Sequence, residues 1–215
     1  MSNASTLVWF RRDLRVADNP ALAAAIAAGR PVAAVYILDE NRRFAPGAAQ
    51  RWFLHHALSS LGESLAGLGV PLLIRKGAEA EVLTAAIAET SSAGVYWNRR
   101  YAADEIAADA GVKDLLKRRG LEARSFNGSL LRDPWEIVTK SGGPYRVFTP
   151  FWNALRAVGP ARSEIASPGR ATASPGRRAQ ADDPRVLNLL PARPNWAFEF
   201  SDWWTPGEDG ARRAL

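Results

Sequence analysis

Five short, almost continuously apolar runs, separated by longer stretches of helical periodicity, constrain this chain more than any other feature. The runs are Thr6 to Phe10, Val32 to Leu38, Leu72 to Arg75, Gly94 to Trp97 and Glu122 to Phe126. A strand with one wet face alternates apolar and polar residues. These runs do not, which predicts strands covered on both faces, the condition of a parallel sheet. The intervening segments supply the covers. Asn19 is placed as an N-cap with Pro20 at the first helical position, where its missing N–H costs nothing. Leu54, Leu58, Leu61, Leu65 and Leu68 follow i, i+4, i+7, i+11, i+14 and lay a leucine stripe along one helix face. Further helices are predicted from about Ala80 to Glu89 and from Asp104 to Arg119. The fold class that follows is α/β: a doubly wound, Rossmann-like five-stranded parallel sheet with helices on both faces and right-handed crossovers.

The rhythm stops after Phe126. Asn127 and Gly128 turn the chain, Ser141 to Pro144 turn it again, and Phe148 to Leu155 reads as a short aromatic helix. From Val158 the composition moves towards Pro, Gly, Ser, Ala and Arg, and Ser-Pro-Gly-Arg occurs at Ser167 to Arg170 and again at Ser174 to Arg177. Two copies are too few for a solenoid, so the stretch is read as a flexible, extended connector. The expected organisation is therefore an α/β domain over 1–157 and a linker over 158–215. Trp196, Phe198, Phe200, Trp203 and Trp204 near its end are expected to pack on something. Gly210 to Leu215 reads as a helix barely begun.

Composition removes several classes of function. Eight Trp, eight Phe and 47% hydrophobic residues can bury a core, which excludes disorder throughout. No window approaches the roughly 20 apolar residues of a membrane span. The absence of cysteine excludes disulfides, thiolate nucleophiles and zinc fingers, and fits a reducing, cytoplasmic setting. Met1 to Thr6 shows no secretory pattern. The net charge of +6, carried mainly by Arg, is too diffuse to demand nucleic acid, and the Arg- and Ala-rich bias has a bacterial look.

In an open α/β sheet, ligands bind beyond the carboxyl ends of the strands, near the point where strand order reverses. Polar clusters stand at three such ends: Phe10 to Arg15, Asp39 to Arg43, and Trp97 to Tyr101 with Asp104 and Glu105. Arginine there can clamp an anion or stack on a planar ring, and carboxylates can accept from ring amines. Surface salt bridges and helix caps account for the same residues equally simply. Neither G-x-G-x-x-G nor G-x-x-x-x-G-K-[ST] occurs, which argues against an ordinary NAD enzyme or P-loop NTPase. His55 and His56 are adjacent on a helix and offer no shared ligand geometry, so neither a catalytic residue nor a metal ligand is assigned. Asp182 and Asp183 read as solvated charges. Trp9, Trp52 and Trp97 read as core.

Several segments together resemble one family. Val8-Trp9-Phe10-Arg11-Arg12-Asp13-Leu14-Arg15 followed by Asp18-Asn19-Pro20-Ala21-Leu22, then Arg51 to Leu58, Val95 to Tyr101, Tyr145 to Trp152 and Trp204 to Glu208, are similar in order and spacing to the DNA photolyase/cryptochrome family. The resemblance implies the N-terminal domain of a two-domain flavoprotein. That domain holds an antenna chromophore, and a larger helical domain, not present in this sequence, holds FAD and UV-damaged DNA. It further implies a deoxyribodipyrimidine photolyase, with light-driven splitting of cyclobutane pyrimidine dimers in the full protein and an inactive monomer in the fragment. A cryptochrome-type photosensor and a stand-alone nucleotide-binding module are the alternatives.

The resemblance also suggests where the antenna sits. Glu105 matches the acid that contacts folate in folate-binding relatives, and Asp104 replaces a frequent Asn, losing a donor. Deazaflavin-binding relatives often carry an acid where this chain has Arg100, which favours methenyltetrahydrofolate over deazaflavin, or no antenna. Phe10, Arg11, Leu38 and Asn98 are expected to line the same cleft from their strand-end positions.

Overall fold

The computed structural model describes residues 4–41, 45–160, 163–172 and 180–215. Arg42 and Arg43 of the second polar cluster and the second Ser-Pro-Gly-Arg copy lie outside the described residues. Five strands, β1 (Ser5–Phe10), β2 (Val32–Leu38), β3 (Leu72–Lys76), β4 (Ser92–Asn98) and β5 (Glu122–Phe126), form one parallel sheet in the order β3-β2-β1-β4-β5. Helices α1 (Pro20–Ala27), α2 (Ala48–Gly67), α3 (Glu79–Thr90) and α4 (Ala103–Arg118) follow the first four strands in turn. The sequence reading recovers the strands, α3 and α4 with ends shifted by no more than two residues, the extent to which frayed termini vary; for α1 it marks only the start, and α2 is predicted from its stripe alone.

Period two in the strands sorts the core into two layers. Val8, Phe10, Ala34, Tyr36, Leu38, Leu72, Ile74 and Tyr96 pack with Leu22 of α1 and Leu58, Leu61 and Leu65 of α2. Their neighbours Leu7, Trp9, Val35, Ile37, Leu73, Val95 and Trp97 pack with Leu83 and Ile87 of α3 and Val112 and Leu116 of α4. Trp9 and Trp97 meet edge to face at 6.2 Å. With both faces covered, β1 to β4 are apolar through most of their length and do not alternate; β5, at the edge with Glu122, Arg124 and Ser125 and no buried residue, is the exception to the expected apolar run. Leu58 is fully buried. Leu58→Ala is expected to cost about 2–5 kcal/mol, read as a lower urea midpoint, because the cavity left between α2 and β2 cannot collapse against a covered sheet.

Asn19 caps α1 as predicted, its Oδ1 accepting from Leu22 N at 3.1 Å. Three expectations about the connector need correction. First, its described residues are laid against the domain rather than loose: Thr172 bridges Pro31 and Ala181 bridges Leu72. Leu187 and Leu189 enter the core. Second, Asp182 is not a solvated charge. Its N–H donates to Leu72 O, and its carboxylate accepts from Ile74 N at 3.0 Å and pairs with Arg75. The physical reason is topological: β3 is an edge strand, its outward N–H and C=O groups need partners, and the connector supplies them. Asp183 instead caps a 3-10 turn, Pro184–Leu187, and Arg185 pulls its carboxyl down to about 2. Third, the late aromatics pack only in part. Phe200 meets Trp52 at 5.2 Å and Trp196 at 5.4 Å, whereas Trp203 and Trp204 remain 81% and 61% exposed.

The aromatic helix predicted from Phe148 is α5 (Phe148–Val158). Two short helices close the chain, α6 (Phe200–Trp203) and α7 (Glu208–Ala214). Among the described residues no helix is long and apolar enough to cross a membrane.

Candidate functional site

Strand order reverses between β1 and β4, since α1 and α2 lie over one face and α3 and α4 over the other. The connections leaving β1 and β4 therefore diverge, and a cleft opens beyond their carboxyl ends. It encloses about 1300 Å³. Tyr36, Ile37 and Leu38 at the end of β2 form an apolar floor, continued by Phe53, Leu54 and Ala57 of α2. Residues 11–15 form one wall, Arg100 with Asp104 and Glu105 the other, and α7 the rim. Burial, with Glu79 alongside, pushes the Tyr36 phenol up to about 12, so it faces the cleft as a neutral hydroxyl.

The walls rest on a buried ion network. Asp109 bridges two guanidinium groups, Arg11 Nη1 at 2.7 Å and Arg100 Nη2 at 2.5 Å. Arg100 also pairs with Glu79 at 2.9 Å, and Arg11 donates to Asn98 O while lying over the Trp9 ring at 4.5 Å. Burial and the nearby Arg100 lower the pKa of Arg11. At Arg100 burial acts the same way, but the hydrogen bond and charge of Glu79, together with Asp109, outweigh it and raise the value. Both remain guanidinium ions near neutrality, and both are committed to carboxylates. Neither is available to clamp a ligand anion, as the strand-end pattern had allowed. Arg12 differs: its side chain is largely exposed and touches Glu105 Oε1 at 2.8 Å.

Of the six residues expected at the cleft, Arg11, Leu38, Asp104 and Glu105 line it. Glu105 is a buried carboxylate held at the wall by Arg12; Asp104 is exposed at the mouth. Phe10 and Asn98 lie beneath. Phe10 is a core residue, its side chain on the same face of β1 as Val8. Asn98 is spent on structure: its Nδ2 donates to Asp13 Oδ2 at 2.6 Å and Asn19 Oδ1 at 2.9 Å, and its Oδ1 accepts from Ala21 N at 3.2 Å. It ties the loop after β1 and the start of α1 to the end of β4. Gly128 belongs to the same knot, since a Cβ there would come within 2.6 Å of Asn98 Cγ. Its place after Asn127 reflects that close approach as well as a turn.

Sequence reasoning missed Tyr36, Glu79, Asp109 and the α7 rim. Tyr36 stands two residues before Leu38 and so shares its face, and Asp109 stands four after Glu105 on α4. Both offsets were visible signals. No local pattern places α7 at the cleft, some 200 residues from β1.

An apolar floor, carboxylates able to accept from ring N–H and amino groups, and an exposed guanidinium together suit a planar heterocycle with polar edges. Residues 6–169 match the sequence profile described as DNA photolyase. A deoxyribodipyrimidine photo-lyase of Agrobacterium fabrum is 43% identical over 212 residues, 98% of this chain and 44% of that protein. Cryptochrome-1 of Arabidopsis thaliana is 38% identical over 154 residues, 70% of this chain and 22% of that protein. The crystal structure of a class III photolyase from Agrobacterium tumefaciens superposes with a TM-score of 0.88 at 43% identity, covering 99% of this chain and 44% of that one. The chain thus spans less than half the length of these relatives.

Proposed function

The chain belongs to the DNA photolyase family, and on that premise we propose that it is the antenna-binding, light-harvesting part of a deoxyribodipyrimidine photolyase. The observation that carries the reading is the cleft itself, which combines an apolar floor with Asp104, Glu105 and Arg12 at the carboxyl ends of the strands. A photolyase is favoured over a cryptochrome because the likeness to the Agrobacterium photolyase runs over 212 residues and that to the plant cryptochrome over 154.

In this reading a methenyl folate is preferred to a deazaflavin. Glu105, and Asp104 at the mouth, would accept from the amino and N–H groups of the pterin, Leu38 and Phe53 would supply apolar contact, and Arg12 would meet the glutamate tail. When bound, such a group supplies absorption of near-ultraviolet and blue light and passes the excitation on. This chain's residues bind it, orient it and exclude water from one side. FAD, damaged DNA and the splitting of the pyrimidine dimer belong to the part of the relatives that this chain does not span. Extruding the lesion costs least where its bases are already unstacked.

Titration of the 215-residue protein with 5,10-methenyltetrahydrofolate, followed by the ligand's absorption and fluorescence, tests this. Glu105→Ala is expected to weaken binding about tenfold or more, the loss of a charge-assisted hydrogen bond at a buried site. Equal affinity in parent and variant would remove Glu105 from the site, and no binding by the parent would remove the reading.

A further inference from the structure

We infer that Glu208 is the positioning residue of the cleft, the point at which α7 is fastened to the loop after β1 so that it walls one side. Its carboxylate accepts two main-chain hydrogen bonds, from Val16 N to Oε2 at 2.7 Å and from Ala17 N to Oε1 at 3.2 Å. The contact joins residues more than 190 positions apart. The neighbouring N–H groups of that loop have other partners, Arg15 N the carbonyl of Asp13 and Asp18 N that of Ile165 in the connector. Val16 and Ala17 look across to Glu208.

The fastening is chiefly polar. No residue of α7 is buried, so apolar packing does not fix it. Hydrogen bonds from main-chain donors to an ionised carboxylate are about twice as strong as neutral ones, and here both oxygens are engaged. Arg212, one turn on, donates to Oε1 at 3.0 Å and orients the group from the other side. The approach of the chain is equally specific. Gly207 has φ +114°, and a Cβ there would lie 2.5 Å from Ser60 Oγ of α2. A glycine is needed to bring Glu208 past α2 to the loop. Ala211 and Arg212 then line the cleft together with Leu38 and Arg12.

The helix placement can be tested without any ligand, and the consequence for binding rests on the antenna reading above. The chain contains no cysteine. Spin labels at Arg213→Cys on α7 and Glu81→Cys on α3 therefore report their separation cleanly. A single narrow distance distribution is expected, broadening when Glu208→Gln is added, because an amide presents N–H₂ to one of the two donors. The thermal midpoint should move by no more than a few degrees. In the unlabelled protein, Glu208→Gln is expected to weaken methenyltetrahydrofolate about tenfold, and Arg212→Ala less. An unchanged distance distribution in Glu208→Gln overturns the inference. Broadening with unchanged folate affinity overturns the role of α7 as a wall. If the parent binds no folate, the antenna reading fails, while the label distances still decide whether Glu208 fastens the helix.

Discussion

Replacing Asp109 with leucine is expected to cost about 3–5 kcal/mol of folding stability, the penalty for leaving buried charge without its partner. Arg11 and Arg100 share Asp109 under the cleft wall, with side chains only 4% and 5% exposed. In the parent two guanidinium groups face two carboxylates, Asp109 and Glu79. Without Asp109, Arg11 retains a backbone carbonyl and the face of Trp9, and it faces Arg100 unshielded. The measurement is the urea midpoint, expected to fall by about 1–2 M. Buried pairs are poorly screened, so the loss should persist at high salt. Arg11→Met combined with Asp109→Leu should recover most of it, since Arg100 keeps Glu79 and no unpaired charge remains. A single variant within about 1 kcal/mol of the parent would show that the network is incidental to the fold.

Asn98→Leu is expected to cost about 2–3 kcal/mol, one or two buried polar groups left without a partner. Leucine fills the space but cannot satisfy Ala21 N–H or donate to Asp13 and Asn19. Asn98→Asp is the sharper test. It keeps an acceptor for Ala21 but sets a second carboxylate against Asp13, where the amide nitrogen now lies at 2.6 Å. That repulsion should make Asn98→Asp cost at least as much as Asn98→Leu near neutrality. Stability of Asn98→Asp equal to the parent at pH 7 would deny Asn98 its structural role and return it to the ligand.

The fate of Asn98 shows where sequence reading of the site succeeds and where it stops. Its position at the end of a strand beside the switch point was legible, and so was the side of the sheet on which the site opens. The use to which its amide is put was not, because that depends on Asp13, Asn19 and Ala21, which only the folded chain brings within reach. Arg11 is similar. A strand-end arginine is as suited to a ligand anion as to a buried ion pair, and the choice falls to Asp109, a residue on the fourth helix. Glu105 and Leu38 do line the cleft, since their helix-start and strand-end positions put them there directly. Asp182 was misjudged because an edge strand's need for partners appears only once strand order is known.

What the sequence determines alone is therefore local and periodic: four strands covered on both faces beside a more polar edge strand, a capped first helix, a leucine stripe, and motifs specific enough in order and spacing to mark the family. Those signals arise from residues within a few positions of one another, where burial and backbone geometry act directly on residue type. The tertiary structure decides which charges neutralise each other, which edge the connector covers, and that α7 returns to the cleft through Glu208. The Arg11–Asp109, Ile74–Asp182 and Val16–Glu208 contacts among them join residues 98, 108 and 192 positions apart. Hydrogen bonds and ion pairs are satisfied by whatever the fold brings near, and chain spacing carries no record of it.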